Sequence, residues 1–268
     1  MTDRPTLPAS LVRSDWNATI YIEGAGDCER RLEVTPTIAG WDYLSFRIYT
    51  FRAGQVIDGE SAEDEMAMVL LSGHVTIEIA GPGGSATWEC DGRESVFEGA
   101  PYAIYLPPGH TYKTTVHADA DCAYGRAPAE GRLIPHLIRP QETTTTTTRT
   151  GGKVTRILSP GDSEHLLCQE RVIEPGKWAG VPPHRHKVQN LPDEVGGYLE
   201  EVSYYRTDPV DGWGVQVLGT ADDGEAFIVR HGDAVIVRGE ARSVVAGPET
   251  RLYALTYMAG PTPAWPAE

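Results

Sequence analysis

The chain has 268 residues, 40% of them hydrophobic, with 38 acidic against 23 basic residues and a net charge of −15. The apolar share is enough to fill real cores and excludes wholesale disorder, while the acidic field repels phosphate backbones and anionic lipid and so argues against nucleic acid and membranes as partners. The opening MTDRPTLPASLVRSDW has no apolar core of signal-peptide length, and no stretch approaches the ~20 apolar residues of a spanning helix; a cytoplasmic location is expected.

From the N-terminal side, WDYLSFRIYTFRAG, EMAMVLLSGHVTIEIAG and GAPYAIYLPPGHTYKTTV are apolar or alternating runs closed by Gly or Pro, and each reads as strand. Pro108-Gly109-His110 reads as a turn with an exposed histidine. Near the middle lies QETTTTTTRTGG, Gln141 to Gly152, a threonine run suited to a linker, although threonine's β-propensity would let part of it pair as an edge strand. Beyond it HLLCQERVIEPG, YLEEVSYYRT, WGVQVLGT, EAFIVRHGDAVIVRG and TRLYALTYMAG continue the strand pattern. No segment sustains a capped helical period, so helices should be few and short, and an all-β barrel or sandwich is favoured over a parallel α/β sheet. Cys28, Cys90, Cys122 and Cys168 are scattered without a C-x-x-C pair and read as reduced structural thiols. Trp41, Trp88, Trp178 and Trp213 at strand edges read as core packing.

FEGAPYAIYLPPGHTYKTTVHADADCAYGRAPAEG and VRHGDAVIVRGEARSVVAGPETRLYALTYMAG share one layout: a glycine turn into an apolar strand, a second strand, an acidic bend, then a tyrosine-bearing strand ending in Ala and Gly. This resembles the second conserved cupin segment, present twice. It implies an all-β bicupin, two tandem cupin (jelly-roll type) β-barrels with few short helices. The expected division is residues 1–140 as an N-terminal barrel without a metal motif, 141–152 as linker and 153–268 as a C-terminal barrel with the site.

Pro182-Pro183-His184-Arg185-His186 is the most informative short stretch. Residues two apart on a strand project to one face, so both imidazoles can enter one barrel, and the prolines hold the approach extended. In YLEEVSYY, Glu201, Ser203 and Tyr205 share one face, with Glu200, Val202 and Tyr204 on the other. Two histidines and a carboxylate suit a divalent transition metal with open positions; a pair of exposed histidines beside a charged strand is the alternative.

GKWAGVPPHRHKVQNLPDEVGGYLEEVSYYRTDPVDGWGVQVLGTADD, GDAVIVRG and VVAGPETRLYALTYMAGP, with TPTIAGWDYLSFRIYTFRAG, RESVFEGAPYAIYLPPG and APAEGR earlier, resemble the 5-deoxyglucuronate isomerases of inositol catabolism over nearly the whole chain. The resemblance implies interconversion of an aldehyde and a ketone on a sugar acid through an enediol, with a metal (zinc, manganese or iron) on His184, His186 and Glu201. With Glu201, Tyr205 on the same face is a candidate catalytic side chain, and Gln216 (a retained family position), Arg242 and Ser203 are candidate substrate contacts, Arg242 suited to pair a substrate carboxylate. A homodimer through barrel edges is a further expectation of the resemblance. The chain departs from the family pattern where Arg242 replaces the fourth metal-ligating histidine, where Ser203 and Tyr205 replace a tyrosine and a histidine, at Lys187, and at Gly152 and Thr155. An arginine cannot ligate a cation, so the metal's absence, a repurposed bicupin enzyme acting on another small molecule, and a non-catalytic bicupin are the alternatives these departures raise.

Overall fold

Alternating strands build the scaffold. The computed structural model describes residues 10–13, 19–22, 26–150, 152–187, 197–220 and 222–265. Among these, helix is confined to Pro36–Ala39 and a 3-10 turn at Pro140–Glu142. The short helix is set locally: the Thr35 hydroxyl accepts from the Ile38 N–H, Pro36 presets the first turn, and Gly40 closes it at φ 71°. No helix is long and apolar enough to cross a membrane.

The first half is a nine-stranded antiparallel sheet. Its path runs His136–Ile138, Ala103–Leu106, Asp64–Gly81, Thr111–Pro128, Ser45–Phe51, Gly26–Val34, Thr19–Ile22, with Val56–Glu60 and Gly84–Asp91 paired to its long strands. The second half joins a seven-stranded sheet, ordered Leu11–Val12, Ala234–Val237, Glu200–Asp208, Arg251–Ala259, Leu166–Ile173, Lys153–Leu158, Thr144–Thr147, to a four-stranded one, ordered Trp178–His184, Arg242–Ala246, Trp213–Leu218, Glu225–Arg230.

Two of these strands differ from the division expected at residues 1–140, 141–152 and 153–268. Thr144–Thr147 is an edge strand paired with Lys153–Leu158, because β-branched threonines suit an exposed edge. Leu11–Val12 crosses to Ala234–Val235 in the second half, where Arg13 also pairs with Asp233.

The halves pack sheet against sheet, and the period of two decides which side chains meet. On Glu200–Asp208, Val202 and Tyr204 join the shared core with Phe46, Ala67 and Ala123 of the first half, while Tyr205 points into its own half with Leu218 and Val235. Gly125 marks the tightest approach: a Cβ there would lie 2.2 Å from a Tyr257 ring carbon. Arg93 grips Glu170 across the junction through two bonds of 2.9 and 2.6 Å.

Two glutamates tie the halves reciprocally. The Glu65 carboxylate of the first half accepts the N–H groups of Glu164, His165 and Leu166 at 2.7, 2.7 and 2.8 Å, and the Tyr105 hydroxyl at 2.8 Å. Glu200 of the second accepts those of Asp42, Tyr43 and Leu44 at 2.6, 2.9 and 2.7 Å. Burial raises both carboxyls above the usual range and the donated N–H bonds work against it. Glu65 faces Ala127 and Glu200 faces Ala259 at the same place in each sheet. The two contacts are therefore related by a pseudo-two-fold, and the second fixes the strand that carries Glu201.

Three single-residue expectations change. His110 is buried rather than exposed, its Nδ1 3.1 Å from the Pro107 carbonyl oxygen and its Nε2 3.2 Å from that of Pro82. Trp178 and Trp213 lie exposed on the outer face of the four-stranded sheet instead of in a core. Small or charged neighbours (Lys177 and Ala179, Gly212 and Gly214) give no apolar alternation that would tell an inward from an outward tryptophan. All four cysteines are buried, and none is in a disulfide.

Candidate functional site

The inward face of Glu200–Asp208 carries Glu201, Ser203 and Tyr205, all buried. Register brings each a partner. Ser203 faces Thr256, their hydroxyls 3.1 Å apart. Tyr205 donates a short hydrogen bond to Gln216 Oε1 from Trp213–Leu218. Arg242, first residue of its strand, stands between His184 and Leu218 in the register, which aims it at the same end of the interior.

There the guanidinium closes a network. Arg242 Nε donates to Glu201 Oε1 in a short bond, and His186 Nδ1 lies 2.8 Å from Glu201 Oε2. Because the carboxylate accepts, that Nδ1 carries the proton; Arg242 Nη2 lies 3.0 Å from Nδ1 and 3.1 Å from Nε2, of which Nε2 is the one able to accept. Both carboxylate oxygens and both ring nitrogens are thereby engaged. Burial opposes the Glu201 charge, but Arg242 and His186 overcome it and bring its pKa down to about 2. His184 stands 5.4 Å from the His186 ring, centroid to centroid. Its Nδ1 donates to the Pro182 carbonyl at 3.0 Å, which fixes the tautomer and leaves Nε2 as a lone pair. Burial lowers its pKa; the Pro182 carbonyl works against this, and the positive charge of Arg242 adds to the lowering. Burial pushes the Tyr205 hydroxyl upward, so it is a neutral donor.

These donors do not fit a divalent metal as they stand. A metal needs lone pairs converging at about 2.0–2.2 Å from one point. Here Glu201 has given both oxygens to protein donors, and the guanidinium lies against two of the three expected ligands. A permanent positive charge ~4 Å from a divalent ion opposes it by about 8 kcal/mol at an effective dielectric near 20. The expected role of Arg242 as partner of a substrate carboxylate is also altered, since Glu201 takes that place. Among the described residues, Glu130, Glu164 and His165 are the one group of three with ligand atoms within 4.8 Å of one another. It lies elsewhere, and Glu164 already accepts the Gly131 and Arg132 N–H groups, both at 2.8 Å.

A cavity of about 30 Å³ adjoins the network, lined by Arg171, Ser203, Tyr205, Gln216, Arg242 and Thr256 among others. This is room for a water or two, well below the ~300 Å³ of an ordinary ligand pocket. Every expected contact residue borders it, whereas Thr155 bonds Thr145 at 2.9 Å beside a different groove and Lys187 is exposed. Sequence reasoning passed over Arg171 and Thr256. The alternation in QERV and LTYM carries the signal, since each places a polar side chain on the inward face of its strand.

Residues 21–268 match the model of the KduI/IolB family. The chain is 35% identical over 244 residues to 5-deoxy-glucuronate isomerase of Geobacillus thermodenitrificans (strain NG80-2), covering 87% of this chain and 86% of that one. It is 30% identical over 245 residues to the Bacillus subtilis (strain 168) enzyme of the same name, covering 87% of each. Among solved structures, an IolB-like protein from Salmonella typhimurium LT2 superposes with a TM-score of 0.82 at 28% identity, covering 95% of this chain and 94% of that one. Oxalate decarboxylase of Lactobacillus farciminis, a likeness of fold alone at 12% identity, gives 0.71, covering 98% and 89%. The chain belongs to the KduI/IolB family.

Proposed function

We propose that the chain is an aldose–ketose isomerase of a small sugar acid, working at the polar end of the second half's interior. The observation that carries this reading is the convergence on one cavity of a buried arginine (Arg242), a neutral hydroxyl donor (Tyr205) and a carboxamide (Gln216), in a member of a family whose relatives bear an isomerase name. Isomerisation moves one proton between adjacent carbons through an enediol and needs no oxidant. In this reading His184 Nε2 takes the carbon-bound proton, and Tyr205, steadied by Gln216, shuttles the proton between the two oxygens. Glu201 acts by holding Arg242 and His186 in place. A sugar acid is larger than the cavity, so its entry requires the side chains around Arg242 to part.

The test is to incubate the protein with 5-deoxyglucuronate in D2O and follow it by proton NMR. A ketone carrying deuterium at the reacting carbon is expected; an unchanged spectrum would sink the substrate assignment. Tyr205→Phe should lower kcat by about 10²-fold with KM little altered. A second reading, the same proton transfer on a different small acid, is favoured by Arg242 being bound to Glu201 instead of standing free. A panel of uronic acids and shorter hydroxy-aldehydes, run in the same assay, separates the two.

A further inference from the structure

We propose that Arg242 is the resident cation of this centre, in the place a divalent metal would hold, and that the site binds its oxyanionic ligand without metal. The inference rests on the isomerase reading only for the identity of that ligand; the exclusion of metal stands on geometry. Of the guanidinium's three nitrogens, Nε is used by Glu201 and Nη2 by His186, while Nη1 has no hydrogen bond among the described residues. Arg242 borders the cavity, so Nη1 is a donor reserved for an occupant. Glu201 balances the arginine's charge, and His186, donating through Nδ1 and accepting through Nε2, locks the pair in one orientation. Such an arrangement is complete without an ion.

Its chemistry suits the proposed reaction. When the carbon-bound proton leaves, the electron pair moves onto the adjacent carbonyl oxygen, and an N–H donor fixed in a dry interior stabilises that oxyanion. Tyr205 then passes the neighbouring hydroxyl's proton to that oxyanion, the neighbouring oxygen becomes the new carbonyl as a proton is delivered to the former carbonyl carbon, and nothing is oxidised or reduced overall. A guanidinium supplies directional hydrogen bonds and one unit of charge where a metal would supply two, and it needs no loading.

The experiment is a calorimetric titration of chelator-treated full-length protein with zinc and with manganese, comparing wild type, His186→Ala, Arg242→His, Arg242→Lys and the double variant Arg242→His/His186→Ala. Wild type and Arg242→Lys should show no ion whose binding disappears on changing His186 to Ala. Arg242→His should gain one ion per chain, at least tenfold tighter than any wild-type binding, and the double variant should lose it. Comparison with His186→Ala separates this site from Glu130, Glu164 and His165. An ion in wild type that His186→Ala removes would overturn the proposal, as would an Arg242→His variant, folded by circular dichroism, that gains none. A parallel titration with glucuronate in excess chelator reads the ligand: binding weakened at least tenfold by Arg242→Gln is expected. No binding by any variant would count against the sugar-acid reading, with the metal titration still deciding the role of Arg242.

Discussion

The two halves share one plan and differ in what they enclose. Because Glu65 and Glu200 occupy matching positions, Met66, Met68 and Leu70 of the first half correspond to Glu201, Ser203 and Tyr205 of the second, and Tyr124 corresponds to Thr256. The first interior is closed by Met66, Met68, Leu70, Ile77 and Cys122, an apolar filling. The second carries a carboxylate, a guanidinium, an imidazole and a phenol at the same depth, each hydrogen-bonded, and no atom of that network is among the buried polar atoms without a partner. Duplication let one copy keep the cost of burying charge while the other supplied a rigid back wall, since a buried ion pair is a weak stabiliser at best.

The sharpest way to break this comparison is to exchange the two interiors at one position. Met66→Glu puts a carboxylate into the first half with no arginine to meet it, and should cost more than about 4 kcal/mol in urea unfolding. A cost under ~1 kcal/mol would mean that the first interior is wetter than its side chains imply. Next is Glu201→Ala, which strands the buried Arg242 charge and should cost about 3–5 kcal/mol. A near-neutral result would mean that the guanidinium turns outward and the network is not a unit.

The junction offers a smaller and more symmetric test. Glu65→Gln and Glu200→Gln each weaken a carboxylate that accepts three backbone N–H bonds, and each should cost roughly 1–3 kcal/mol, equal within ~1. Unequal costs would break the pseudo-two-fold reading of the two clamps. The last effect is with pH. The Glu201 pKa falls from 4.5 to about 2 on folding, so its contribution is whole above pH 4.5 and is lost as pH drops toward 2. The wild-type midpoint should therefore fall through that window more steeply than that of Glu201→Gln, which has no carboxyl to titrate.

Much of this was legible in the residues, and the parts that were not have identifiable causes. Alternation placed Glu201, Ser203 and Tyr205 on one face and Val202 and Tyr204 on the other, because a strand has no freedom to do otherwise. Arg242 stands opposite His184 in the register and against His186, and it lines one cavity with Gln216. What the sequence could not give was pairing across 41 residues, Glu201 with Arg242, which depends on rotamers and on how closely two strands of different sheets approach. Glu65 and Glu200 were hidden for a related reason: a charged residue at the start of a strand looks solvent-facing until a partner half covers it. The threonine run was read chiefly as a linker because its strand pairing is with a neighbour only a turn away, and a two-residue strand such as Leu11–Val12 leaves no periodicity to detect.

We place the chemistry in the second interior, at Arg242 and Tyr205, and not in the first. A crystal structure of the full chain grown with glucuronate tests it most directly. The account predicts ligand density beside Arg242, Tyr205 and Gln216, with an oxygen of the ligand hydrogen-bonded to Arg242 Nη1. Density within the first half, or in the groove between the halves with the Arg242–Glu201–His186 network undisturbed and its cavity holding only water, would contradict it.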